Sequence, residues 1–177
     1  MDIQRLKPHL PWITLVVLVA IVGINDPGFL RPSNLLGIAG DIVPLFIMAL
    51  GLTFAIYIGG IDLSAQSMAN MVTVVASVYL ASMGAWVAVL CVVAGFLLGM
   101  LSGYVTTRLF VPSFISTLAV GGVAFSIAQW LSGQRALNMD ATQRNETFGW
   151  MIGHSWGVPH ELLLAAVLVA ICLFIER

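Results

Sequence analysis

Apolar side chains run through this chain in six long blocks, each broken off by proline, glycine or a cluster of polar residues. The first runs from about Leu10 to Ile24 and stops at Asn25 to Pro32, a stretch with two prolines and a glycine. The second, Leu35 to Ile58, carries Asp41 and Pro44 and ends at Gly59-Gly60. The third covers Leu63 to Met83 and the fourth Trp86 to about Thr107; Arg108 and Pro112 separate the fourth from the fifth, Phe114 to Leu131. A polar stretch from Ser132 to His160 precedes the sixth, Leu162 to Ile175. A bilayer core takes roughly 20 residues of helix to cross. The pattern therefore predicts an all-α polytopic membrane protein of about six transmembrane helices, with Pro44 bending the second.

Composition strengthens that expectation. The 177 residues are 60% hydrophobic and 8% charged, whereas a soluble domain is about one-quarter charged. The surplus apolar surface has the lipid bilayer as its partner. A net charge of -1 gives no basic stripe, which excludes nucleic acid as a partner. Cys91 and Cys172 lie in separate apolar blocks, with no CxxC and no Cys/His metal spacing, so neither a metal nor a cofactor is expected.

Charge also sets an orientation. Arg5 and Lys7 before the first block resemble the start of a signal peptide, but Asn25-Asp26-Pro27-Gly28 follows without a small-x-small cleavage pattern, so an uncleaved first helix is expected. With the amino terminus in the cytoplasm, Arg5, Lys7, Arg108 and Arg177 lie inside and Arg31, Arg135 and Arg144 outside, a slight positive-inside excess. Residues 132–160 then form a polar extracytoplasmic loop. Trp130, Phe148, Trp150 and Trp156 in and beside it suit a membrane interface and a short surface helix.

Three local patterns carry candidate chemistry. Gly95, Gly99 and Gly103 recur every four residues on the fourth helix, with Cys91 one step earlier, a groove that lets another helix backbone approach closely; Thr117, Gly121 and Phe125 trace a similar but weaker face on the fifth. Gly59-Gly60-Ile61-Asp62-Leu63-Ser64 breaks the helix. Two readings of it stand side by side. Asp62 and Ser64 cap the amide groups at the start of the third helix, or Asp62 is a carboxylate held beside a solute pathway, because ionisable groups inside membranes are rare and functional. Asp41 is expected to face protein or headgroups rather than lipid tails. The sequence contains no Walker A run, GxSxG elbow or HExxH pair, so catalysis is not expected of this chain.

The string Gly59-Gly60-Ile61-Asp62-Leu63-Ser64 with Ser67, then Gly99-Met100-Leu101-Ser102-Gly103, then Pro112-Ser113-Phe114-Ile115-Ser116-Thr117-Leu118, resembles the ribose-type branch of bacterial ATP-binding-cassette (ABC) importer permeases in order and spacing. The chain departs from that pattern at Ala65-Gln66 and at Ser102, where the family more often has glycine and asparagine. The resemblance implies the first part of a roughly ten-helix permease, one transmembrane domain over residues 1–177 cut short of the region that docks on the ATPase. It implies a multi-pass protein of the cell inner membrane that moves a sugar or similar small polar solute. ATP would be hydrolysed on a separate ABC ATPase subunit, with a periplasmic solute-binding protein and a second permease subunit, identical or not, as further partners. Gly59, Gly60, Asp62, Ser64, Ser67, Phe114 and Thr117 become candidates for the translocation pathway. The competing expectation is a truncated, transport-inactive membrane scaffold.

Overall fold

The computed structural model describes residues 9–175, so Arg5, Lys7, Glu176 and Arg177 lie outside the described residues. Every expected apolar block is a helix: α1 Leu10–Asn25, α2 Pro32–Tyr57, α3 Ala65–Met83, α4 Trp86–Arg108, α5 Ser113–Ser132 and α7 His160–Ile175. The polar loop holds one more helix, α6 Ala141–Ile152, and a hairpin of β1 His154–Ser155 with β2 Val158–Pro159.

Local chemistry explains the boundaries. Proline occupies the first turn of α1 and of α2, where its missing amide costs nothing. The carboxylate of Asp140 accepts from the amides of Thr142 at 2.8 Å and Gln143 at 3.1 Å, so α6 begins on a side-chain cap. At the end of α2, Gly60 N–H donates to the Ala55 carbonyl and Gly59 N–H to that of Ile56, at 2.8 and 2.9 Å. This is a Schellman turn, and Gly59 carries its left-handed residue at φ 77°.

The all-α membrane protein is thus in place, with a division of labour among its helices. Among the described residues α2, α4 and α5 are long and apolar enough to cross a membrane, and α1 and α7 are shorter apolar helices. At 19 residues α3 is long enough but is less apolar than these and stands outside that set. It is also the helix most extensively packed, against α5 first and then α4, while α2 packs on α7 and the hairpin.

The core of the α3–α4–α5 bundle contains Met71, Val75, Leu80, Val87, Cys91, Ala124 and Ala128. Small residues make the α5 side of it: Thr117, Gly121, Ala124 and Ala128, at i, i+4, i+7 and i+11, are all buried. A Cβ built on Gly121 would lie 3.2 Å from the Ser64 Cα. Among the described residues a close helix approach is made by α5. Gly95 is half-buried and Gly99 and Gly103 are exposed, and among the described residues no other helix comes within 4 Å of a Cβ added at any of the three. The helix turns Val87, Ser102 and, of the expected series, Cys91 inward, and on α5 Phe125 is exposed.

Candidate functional site

Between Tyr57 and Ala65 the chain is not helical, so its amides need partners from elsewhere. The first turn of α5 supplies them. Ile61 N–H donates to Ser113 Oγ at 2.9 Å, and Leu63 N–H donates to Thr117 Oγ1 at 3.1 Å. The Thr117 hydroxyl then donates to the Ser113 carbonyl at 2.8 Å, so one side chain joins the extended segment to the α5 backbone. Ser116, one residue earlier, is buried and hydrogen-bonds Thr106 across to α4. The connection between α2 and α3 is thereby fastened to the α4–α5 corner.

Asp62 serves this connection differently from an N-cap. Its Oδ1 accepts from the Ser64 amide at 2.7 Å and from the Ser64 hydroxyl at 2.6 Å. Ser64, at the N-cap position of α3, makes no side-chain capping bond, because its hydroxyl is turned back to Asp62. An Asx turn ahead of the helix replaces the cap expected within it. Ser64 and Thr117 are buried, Ser67 and Asp62 are half-buried, and Gly59 and Phe114 are exposed. Six of the seven sequence candidates cluster at the seam of the α2–α3 connection, α3 and α5; Phe114 points out of it.

Thr117→Val isolates the fastening bond, because valine keeps the shape and leaves the Leu63 amide without its acceptor. The expected cost is about 1–3 kcal/mol, read as a lower thermal unfolding midpoint in detergent. Thr117→Ser is expected to stay near the parent protein. Equal midpoints for Val and the parent would show that the bond contributes nothing.

A second feature escaped the motif reading. Gln66, Asn70, Thr73 and Ser77 stand at i, i+4, i+7 and i+11, one narrow face of α3. Gln66, Asn70 and Thr73 are exposed and Ser77 is half-buried. Thr73 and Ser77 spend their hydroxyl protons on the Ala69 and Thr73 carbonyls of their own helix, leaving the oxygens open as acceptors. Toward the carboxy-terminal end of this face, α3, the last turns of α5 and residues 134–137 surround a cavity of about 380 Å³. Asn70, Thr73 and Ser77 line it with Gln129, Ser132 and Arg135. That volume is within the range of about 300–1,000 Å³ typical of small-molecule sites. Between α2 and α7 lies another cavity of about 380 Å³, walled by Leu50, Phe54, Val169 and Leu173 with Thr53 and Tyr57, a lining suited to hydrocarbon. Asp41 is exposed on α2, next to Gly40, which packs against Pro159.

Comparison with known proteins agrees with this architecture. Residues 34–177 match the family described as branched-chain amino acid transport system / permease component. The ribose import permease protein RbsC of Escherichia coli (strain K12) is 32% identical over 158 residues, which are 88% of this chain and 49% of the relative. RbsC of Haemophilus influenzae is 28% identical over 175 residues, 94% of this chain and 52% of the relative. The fructose import permease protein FruF of Bifidobacterium longum is 26% identical over 181 aligned positions, 94% and 51% of the two chains. The chain spans about half the length of these curated relatives. No solved structure matches it.

Proposed function

This chain belongs to the family of branched-chain amino acid transport system permease components, and from that premise we propose that it forms part of the permease subunit of an ABC importer for a sugar or a similar small polar solute. The observation that carries the reading is the polar face of α3. Uncharged amides and hydroxyls on a helix inside a membrane bundle are costly against lipid, and their usual setting is a protein interface or a water-filled path. The face formed by Gln66, Asn70, Thr73 and Ser77 has a packed bundle behind it and open space in front. It offers hydrogen bonds to a passing solute without offering a fixed charge.

The sugar permeases among the relatives support a hydroxylated solute for this chain. In this reading the segment from Gly59 to Ser64, with Ser67, Phe114 and Thr117, is the inner end of the pathway. Its hydrogen bonds to Ser113 and Thr117 hold it at a fixed position, so that movement of α5 would move the foot of α3. ATP is bound and hydrolysed on a separate ATPase subunit, and a periplasmic binding protein delivers the solute to the outer face. A second permease subunit closes the open side of the path, in the cell inner membrane. Binding of nucleotide and of loaded binding protein would act through their different affinities for inward-open and outward-open states.

Deletion of the gene in its source organism tests the proposal. Uptake of one labelled monosaccharide, from a panel including D-ribose and D-fructose, is expected to fall to the passive background and to return when the gene is supplied on a plasmid. Unchanged uptake of every sugar in the panel would overturn it.

A further inference from the structure

The cavity toward the carboxy-terminal end of the α3 face has a feature that a path for neutral solutes does not need. Asn70, Thr73, Ser77, Gln129, Ser132 and Gln134 supply its uncharged polar groups, and among the described residues Arg135 is the one charged residue in its lining. Among the described residues no acidic side chain lines the cavity with it. Arg135 is exposed, in the short turn that leaves α5, and its backbone amide donates to the Ser132 carbonyl at 3.3 Å, which holds the turn against the helix end. The preceding Gln134 adopts φ 59° and donates its amide to the Gln129 carbonyl at 3.1 Å. Gly133 and Gln134 thus turn the chain back over the helix end and carry Arg135 to the mouth of the cavity.

An arginine keeps its charge at every physiological pH. In a cleft with low-dielectric walls a single fixed charge is focused on whatever enters. We infer that the cavity between α3 and the end of α5 is a charge-selective vestibule, in which Arg135 sets specificity by repelling cationic solutes, while the amides of Asn70 and Gln129 donate to the hydroxyl and carbonyl oxygens of neutral or anionic ones and the oxygens of Thr73 and Ser77 accept from their hydroxyls. Arg135 acts here as a specificity-determining residue at the mouth. The inference rests on the proposed function for the existence of an aqueous path, and adds to it a sign of charge and a residue that sets it.

Thiol accessibility tests both parts separately and needs no knowledge of the natural solute. Thr73→Cys is introduced into the full chain in membrane vesicles, with Ser77→Cys as the alternative site should the first variant express poorly. The parent chain, which retains Cys91 and Cys172, gives the background. Labelling rates are measured with anionic sulfonatoethyl methanethiosulfonate and with cationic trimethylammonioethyl methanethiosulfonate, each with Arg135 present and as Arg135→Gln. Both reagents are expected to label the new thiol. The anionic-to-cationic rate ratio is expected to fall by about fivefold or more in Arg135→Gln, the effect of one charge acting across a partly solvated cleft. A labelled thiol whose rate ratio is the same in Arg135→Gln would overturn the role of Arg135 and leave the aqueous path standing. Resistance of both Thr73→Cys and Ser77→Cys to both reagents, in chains that reach the membrane, would overturn the path and the vestibule with it.

Discussion

Gly121→Leu is expected to be the most damaging single substitution in the helix bundle, lowering stability by about 3 kcal/mol. The cause is lack of space. Gly121 is buried where α5 meets the start of α3, and a Cβ there would already lie 3.2 Å from the Ser64 Cα and 3.5 Å from Ser67 Oγ. Leucine adds three carbons beyond that Cβ. The obstacle is backbone, which cannot rotate aside as a side chain would, so α3 and α5 must separate. Separation would also stretch the Leu63–Thr117 hydrogen bond, because it crosses the same seam. Gly95→Leu is the matching control. Nothing lies within 4 Å of a Cβ there, and the expected change is within about 0.5 kcal/mol. Thermal unfolding of the purified chain in detergent reads both, and equal midpoints for the two variants would show that α3 and α5 do not approach as described.

The contrast between these glycines explains what could be read from the sequence and what could not. Helix positions were legible because lipid requires about 20 apolar residues in a row and because Pro32, Gly59-Gly60 and Pro112 interrupt the runs. The helix in the polar loop was legible from its interfacial aromatics, and Asp140 marks its start. The inward face of each helix was not legible. In a soluble protein the buried side of a helix is the apolar side, but in a bilayer the outward side is apolar too, so hydrophobicity does not fix rotation. Gly95, Gly99 and Gly103 and the series Thr117, Gly121, Ala124, Ala128 are both plausible seams on spacing alone. Among the described residues the second is the one that is filled.

The glycine–aspartate segment drew attention for the right location and with an incomplete account of its bonding. A carboxylate three residues before a helix and a serine at the N-cap position suggest capping, yet Ser64 donates to Asp62 and the segment leading into the helix is held by distant groups on α5. Ser113 and Thr117 are more than 50 residues away in sequence, and no local rule connects them to Ile61 and Leu63. The α3 polar face, by contrast, carried a readable signal. Gln66, Asn70, Thr73 and Ser77 repeat at helical spacing in a segment whose other long side chains are apolar. Motif comparison passes over it because no single residue in it is unusual.

Replacing the centre of that face is expected to abolish transport without unfolding the protein. Asn70→Leu, Thr73→Val and Ser77→Ala together remove every polar group that α3 contributes to the cavity. Asn70 and Thr73 are exposed and Ser77 is half-buried. The two hydroxyls bond to carbonyls of α3 that already take part in its helix, so their removal leaves no buried group unpaired. Against lipid the triple variant should be as stable as the parent or slightly more so. Against a hydrated solute it replaces hydrogen-bonding groups by hydrocarbon, and each lost partner for a desolvated hydroxyl costs roughly 1 kcal/mol. Three such losses correspond to about a 100-fold slower passage.

The most direct measurement is ATP-driven accumulation of the labelled sugar identified by gene deletion, in proteoliposomes that hold the complete transporter with its ATPase and binding protein. The account predicts that the triple variant inserts and assembles at parent levels while its initial uptake rate falls at least tenfold. Uptake within twofold of the parent, from the same amount of assembled protein, would contradict the claim that solute passes along the polar face of α3.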